Sequence, residues 1–526
     1  MSVFRKIKLL NSLLLLFIIA NSIIAQSYSE SLVDSIVNKA LKEFDIPGIA
    51  VAIIKDNKII HSKGYGVRSL STKLPIDENT LFGIASNSKA FTSATLGILV
   101  DEGKLNWDDK VIDFIPEFRL YDPYVTNDFT IRDLLTHRSG MGLGAGDLMF
   151  FPDSTNFTLK ELIHNLRYLK QTSPFRSKFD YDNLLYMVAG EIVKRVSGLS
   201  WESFVEEKIM EPLGMNNSAA SFRRLKDQSN VIDGHAPVEG KVKVVNRHMD
   251  IEGENPAGGI YSSIADLSNW VLMHLNNGKF GIDLQNQLLS EKVHNEIWSP
   301  QTILPLNRKV DKYNSHFRIY GLGWFLIDVN GYKEVAHTGS LEGMVTQVTM
   351  YPELNLGIIV LTNQQAGGAM IAITNTIKDI YFGMELTDWI NIYKEKSEKG
   401  NEGSKKITDE IWAEINKNNA AKTPVDLNKF IGRYKDDWFG EVEISEKKNK
   451  LFFNSMRSPK LNGEMFFYKG NTFVVKWTIR SFDADSFVKF NLDFEGNPES
   501  IEMKAISPFT DFSYDFHDLD LRKIKD

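Results

Sequence analysis

The residues of this chain that could do covalent chemistry begin with Ser86 and Lys89, in the stretch Leu81-Phe82-Gly83-Ile84-Ala85-Ser86-Asn87-Ser88-Lys89-Ala90-Phe91. A short apolar run delivers the serine to what reads as a helix start: Phe91, Ala94, Ile98 and Leu99 recur at helical spacing and Glu102-Gly103 supplies a stop. Residues three apart on a helix share a face, so an amine stands beside a hydroxyl where backbone N–H groups are unpaired and the dipole is positive. That setting favours an alkoxide and disfavours a charged lysine, which is what a serine nucleophile with an amine base requires. Two other Ser-x-x-Lys spacings, Ser445/Lys448 and Ser486/Lys489, lack it. The first lies in a polar turn and the second in an alternating strand, where residues three apart face opposite ways.

Two further patterns each occur once, Tyr181-Asp182-Asn183 and His337-Thr338-Gly339, in segments distant from Ser86 and from each other. Taken alone, Tyr181 reads as a half-buried core tyrosine and His337 as a strand-edge histidine. His137, in Leu134-Leu135-Thr136-His137-Arg138-Ser139-Gly140-Met141, reads as a helix cap or loop brace. Asp180, Asp182 and Glu342 read as solvated carboxylates.

In this order the three motifs resemble the penicillin-recognising serine hydrolases: class C β-lactamases, DD-peptidases, D-aminopeptidases and related esterases. The resemblance covers roughly Ser31 to Leu386 and extends to Leu134–Met141, Glu211–Met215, Pro256–Ile260 and Gly321–Trp324. It implies an α+β chain of β-lactamase/DD-peptidase-like fold, an antiparallel sheet flanked by helices plus a helical domain. Ser86 would attack a carbonyl and form an acyl-enzyme that water releases. Lys89 and Tyr181 would share the base role, the phenol being usable near neutrality only if a cation such as Lys89 depresses its pKa. His337 completes the implied catalytic set. The backbone N–H groups of Ser86 and Ser340 would hold the oxyanion, and Asn183, Thr338 and Gly339 would bind substrate.

The third motif begins with histidine where class C β-lactamases have lysine. A neutral imidazole attracts a penicillin carboxylate less than an ammonium does, which lowers the expectation of vigorous β-lactamase turnover. The implied substrates are therefore D-amino-acid peptides or peptidoglycan-type fragments first, then a small ester, then a β-lactam. A non-turnover penicillin-binding sensor or cell-wall-binding protein is the reading from another class. No cofactor and no metal are implied: the ten histidines are scattered and there is no cysteine to complete a zinc set.

The elements that must position these residues follow from periodicity. Leu32, Val33, Ile36, Val37, Ala40, Leu41 and Phe44 mark a helix, and residues 49–54 and 58–61 flank an Asp56-Asn57 hairpin turn. The middle, from about Leu105 to Asn277, reads as helix and loop, and apolar strands return between Gly323 and Leu361. Residues 394–406 hold no apolar side chain and read as a solvated linker. Beyond a helix around Ile407–Ile415, alternation punctuated by Gly-Asn and Asn-Gly turns predicts a small antiparallel barrel. It resembles the lipocalin-like domain appended to some exported family members.

Four segments result: a signal peptide at 1–25, a hydrolase domain at 26–393, the linker at 394–406 and a β-rich domain at 407–526. The signal reading rests on Arg5, Lys6 and Lys8 followed by the apolar run Leu13–Ala20, with no acidic residue before Gln26. It predicts a periplasmic or secreted protein with no membrane span after cleavage. Lipidation and disulfides are excluded by the absence of cysteine. The formal charge is -7, more negative still without the signal, which argues against nucleic acid as a partner. A small-molecule or peptide substrate and cell-wall association are the partners expected. The sequence carries no signal of oligomeric state.

Overall fold

The computed structural model describes residues 28–247, 253–306, 312–421 and 425–525. The expected signal segment lies outside them. Chain order builds one antiparallel sheet from both ends of the hydrolase region. Strands β1 (Gly48–Lys55) and β2 (Lys58–Gly66) come first; β3 (Thr302–Leu304), β4 (Arg318–Tyr320), β5 (Phe325–Val329), β6 (Tyr332–Leu341), β7 (Met344–Tyr351) and β8 (Leu356–Thr362) come late. The sheet order is β2-β1-β8-β7-β6-β5-β4-β3, so β1 and β8 join early and late strands. Asp56 and Asn57 both take positive φ, as the tight hairpin between β1 and β2 requires.

Strand β1 shows why its sequence is an unbroken apolar run. Ile49, Val51 and Ile53 face a core formed with helices α1 (Glu30–Glu43) and, later in the chain, Gly367–Tyr381. Ala50, Ala52 and Ile54 face the opposite core, which holds α2 (Ser88–Asp101), α3 (Leu184–Ser197) and α4 (Ile264–Leu275). Both faces are covered, so neither can be polar. Helix α2 runs through the middle of the second core with residues 88–99 all buried, which is why its polar-looking start carries so little amphipathic pattern. Helix α5 (Gly367–Tyr381) closes the first face.

The linker expected at 394–406 is instead part of a 33-residue helix, α6 (Trp389–Ala421). Lack of apolar residues removed any packing signal, but Lys and Glu are good helix formers. They pair one turn apart at Lys394–Glu398, Glu395–Lys399 and Lys405–Asp409. The segment is solvated and helical at once.

The C-terminal strands close an eight-stranded antiparallel barrel: β9 (Gly432–Asp436), β10 (Gly440–Glu446), β11 (Leu451–Ser455), β12 (Asn462–Lys469), β13 (Thr472–Trp477), β14 (Ser486–Leu492), β15 (Pro498–Ala505) and β16 (Leu521–Lys523). Its interior is packed with Phe453, Phe473, Phe490 and Trp477, and this core is continuous with that of the helical region. Arg457 bonds Glu161 at 3.0 Å and lies 3.9 Å over the Phe157 ring. Asn165 Nδ2 donates to Trp438 O at 2.8 Å, and Lys460 pairs with Asp153. The β15–β16 connection reaches furthest: the Asp515 carboxyl accepts the N–H groups of Gly146 (2.7 Å) and Leu148 (3.0 Å). Removing that acceptor strands two buried donors, each worth about 1–3 kcal/mol. Asp515→Ala should therefore lower the denaturant midpoint of the whole chain, and hydrogen exchange at Gly146 and Leu148 should accelerate.

Candidate active site

Residues 81–85 and 87–99 are buried, and Ser86 between them keeps part of its surface open. It sits in a 3-10 turn, Ala85–Asn87, that runs directly into α2. Ala85 has φ +50, a conformation that a non-glycine residue holds only when its surroundings insist. The surroundings here are β6 and β7. Thr346 Oγ1 donates to Ile84 O at 2.9 Å and accepts from Asn87 Nδ2 at 2.9 Å. A Cβ at Gly339 would lie 2.2 Å from Ile84 O, so only glycine lets β6 pass against this turn. That close approach brings Thr338, Gly339 and Ser340 alongside Ser86, with Thr338 and Ser340 exposed to solvent on the strand.

Lys89 has no exposed surface. Its Nζ lies 3.1 Å from Ser86 Oγ, 2.7 Å from Asn183 Oδ1 and 2.8 Å from Ala257 O. The rings of Tyr181 and Tyr186 stand 4.8 and 5.3 Å from it. Burial lowers its pKa to about 7, against an opposing pull from Asp147. The uncharged amine is therefore accessible beside Ser86 near neutral pH.

Tyr181 shares a hydrogen bond with Ser86, yet its pKa is raised, first by burial and then by the carboxyls of Asp147 and Asp511. The expectation that Lys89 would depress this phenol is thus corrected: the lysine is itself too desolvated to act as a fixed cation. His137 stacks on the Tyr181 ring at 4.2 Å and accepts the Asp182 N–H at 3.0 Å through Nδ1, bracing the tyrosine from behind. Asp182 and Asp180 are not solvated as expected. Asp182 accepts from Ser139 Oγ at 2.6 Å, and Asp180 pairs with Lys178 at 3.1 Å. Both are buried, because Tyr181 is carried on a folded-in loop instead of an extended strand.

His337 lies in the same wall, but both ring nitrogens are engaged. Nδ1 is 2.7 Å from Thr338 O, an acceptor, so it carries the proton; Nε2 then accepts from the Tyr320 hydroxyl at 3.0 Å. Burial lowers its pKa to about 3, so the ring is neutral. Its placement in the catalytic set is therefore revised: it is held as a brace of the wall, with neither nitrogen free to carry a proton at Ser86.

Several groups that the motifs do not include also converge here. Ala257 O, from the short helix Asn255–Gly258, holds the lysine. Asp147, fully buried, accepts from Asn183 Nδ2 at 2.7 Å, and burial raises its pKa to about 8. From the barrel, Ser513 Oγ donates to Asp147 at 2.7 Å, the Phe512 ring stands edge-on to Tyr181 at 5.6 Å, and Ser481 bonds Glu342. Glu342 is thus an interdomain contact and not a free surface carboxylate. Asp147 follows three closely spaced glycines, Gly142, Gly144 and Gly146, the only local sign of a tight, buried turn. Nothing near Ser513 marks it.

A serine beside a buried amine, on a sheet-and-helix scaffold and under a backbone cradle from a neighbouring strand, is the arrangement of a serine hydrolase. The chain belongs to the β-lactamase family, whose model, described as Beta-lactamase, matches residues 33–379. Residues 416–523 match a domain family of unknown function, DUF3471. The unguisins hydrolase ungD' of Aspergillus campestris is 25% identical over 493 residues, spanning 89% of this chain and 88% of that protein. Protein flp of Staphylococcus aureus is 26% identical over 337 residues, 64% of this chain and 63% of that one. Among solved structures, the octameric penicillin-binding protein homologue from Pyrococcus abyssi shares the fold over 92% of this chain and 99% of its own, with TM-score 0.60 and 22% identity.

The uncharged lysine sets a pH dependence. Reaction of Ser86 with a fluorophosphonate should accelerate as pH rises through about 7, the value at which Lys89 loses its proton. His337, neutral throughout, should add no second limb between about pH 5 and 8. Lys89→Arg, which cannot deprotonate, should slow labelling by at least about 10²-fold, read by intact-protein mass against time.

Proposed function

We propose that this chain is an exported hydrolase that cleaves amide or ester bonds through a Ser86 acyl-enzyme, acting on D-amino-acid peptides or peptidoglycan-type fragments. The observation that carries the catalytic part is the environment of Lys89 Nζ. Two of its three partners, Asn183 Oδ1 and Ala257 O, are acceptors with no proton to give. A neutral amine meets them with two N–H groups and has its lone pair left for the third partner, Ser86 Oγ. The base is oriented before substrate arrives.

The reaction then runs as two acyl transfers. Lys89 takes the Ser86 proton as Oγ bonds the substrate carbonyl carbon. The oxyanion rests on the backbone N–H groups of Ser86 and Ser340, each such donor being worth about 3 kcal/mol. Tyr181, kept as a neutral phenol, passes a proton to the leaving amine or alcohol as the scissile bond breaks and recovers one from the Lys89 ammonium. Water repeats the sequence on the acyl ester, leaving the free acid and restoring Ser86.

The substrate class is supported by charge and by relatives. A neutral His337 gives a wall with no cation to draw in the carboxylate of a penicillin. Asp511, partly open, lies close enough to Tyr181 to help raise its pKa, so the cleft presents carboxyl groups there and no additional cation. One relative is named for hydrolysis of unguisins and one solved neighbour as a penicillin-binding protein homologue. Export is supported by the basic and apolar pattern of the first 25 residues.

Incubation of wild type and Ser86→Ala with a fluorophosphonate should give a mass adduct on the first and none on the second. Turnover should then be greatest on a D-amino-acid amide, which carries no carboxylate, lower on a short acyl ester and lowest on a penicillin. A persistent penicilloyl adduct without turnover would replace this reading with a penicillin-binding sensor. No Ser86-dependent adduct with any reagent would replace it with a binding protein.

A further inference from the structure

The lone-pair argument for Lys89 holds only while Asn183 shows its carbonyl to the amine. A primary amide is nearly symmetric in shape. Turned half a revolution about its last torsion, it would place Nδ2–H against the lysine lone pair and occupy the base. Something must therefore decide which way Asn183 faces.

Asp147 is placed to decide it. Its Oδ2 lies 2.7 Å from Asn183 Nδ2, and the hydroxyl of Ser513 donates to the same oxygen at 2.7 Å. With two donors on it, that oxygen serves as an acceptor, and a turned amide would set oxygen against oxygen there. Asp147, Ser513 and Asn183 have relative exposures of 0%, 7% and 8%, so water has little access to offer Asn183 an alternative. Among the described residues, no lysine, arginine or histidine lies within ion-pair distance of Asp147, Lys89 acting on it only from further off, and its Oδ1 has no hydrogen-bond partner. A buried carboxyl without an ionic partner is unfavourable for folding, and a hydrophobic or amide residue would fill the turn at lower cost. The barrel fixes the position from both sides: Asp515, two residues beyond Ser513, holds the N–H groups of Gly146 and Leu148 that flank Asp147.

We infer that Asp147 and Ser513 are positioning residues for the base, holding the Asn183 amide with its carbonyl toward Lys89, so that the C-terminal barrel supplies part of the active site. Neither residue touches Ser86. They act through Asn183, and the inference rests on the reading of Lys89 as the base.

The test measures the rate constant for fluorophosphonate labelling in the full chain, with thermal melting recorded for every variant. Ser513→Ala removes one hydroxyl from the barrel and should slow labelling about three- to tenfold, the scale of one buried hydrogen bond. Asp147→Ala should slow it at least tenfold; if it melts below the assay temperature, Ser513→Ala carries the test alone. In an Asn183→Ala background, Ser513→Ala should have no further effect, because the group it acts through is gone. A purely structural role would instead reduce the rate by the same factor in both backgrounds, and that result overturns the inference. Wild-type rates in both single variants overturn it as well. Absence of Ser86 labelling in the wild type would be a different failure, that of the proposed hydrolase itself.

Discussion

The rest of the structure is arranged around an ammonium that the fold declines to solvate. A lysine with no exposed surface must either find a carboxylate or surrender its proton, and Lys89 is given two hydrogen-bond acceptors, the Ser86 hydroxyl, two aromatic faces and a buried acid that opposes the shift without cancelling it. That condition explains why α2 is enclosed on all sides, why the short Asn255–Gly258 helix is pressed against its start, and why α3 begins where Asn183 can reach inward. A water-lined lysine here would remain charged near neutrality and could not accept a proton. The surrounding core therefore sets the chemistry as directly as the serine does.

The same exclusion of water treats each neighbour differently. His337 and Tyr181 are both pushed to their neutral forms, so the site at neutral pH holds few full charges. Groups with fixed dipoles do the orienting: Tyr320 on His337, His137 on the Asp182 N–H, Asn183 on the lysine. Such an environment needs little rearrangement when charge develops on a substrate carbonyl, which is the physical basis of electrostatic preorganisation.

What could be read from the sequence follows the range over which each signal acts. Ser86 and Lys89 were legible because three-residue spacing on a helix is a local fact, and the barrel because alternation and turn residues are local too. Tyr181, Asn183 and His337 were found through short unique motifs, but their protonation states were not, since these depend on burial by segments far away in the chain. Asp182 shows this: its immediate neighbours in sequence suggest solvent, whereas Ser139 and His137 enclose it. Asp147 and Ser513 are separated by 366 positions, and no periodicity links them. The helical course of residues 394–406 leaves no trace in apolar content, because one-turn ion pairs sustain this helix without it.

The barrel is closed by its shortest strand, β16, which pairs with both β9 and β15, and the connection bearing Ser513 and Asp515 lies directly before it. A ribosome produces this chain from the other end. The nucleophile, the lysine and the whole sheet precede in sequence the segment that fastens the turn around Asp147. The segment that orients the base is thus the last part of the site to be synthesised.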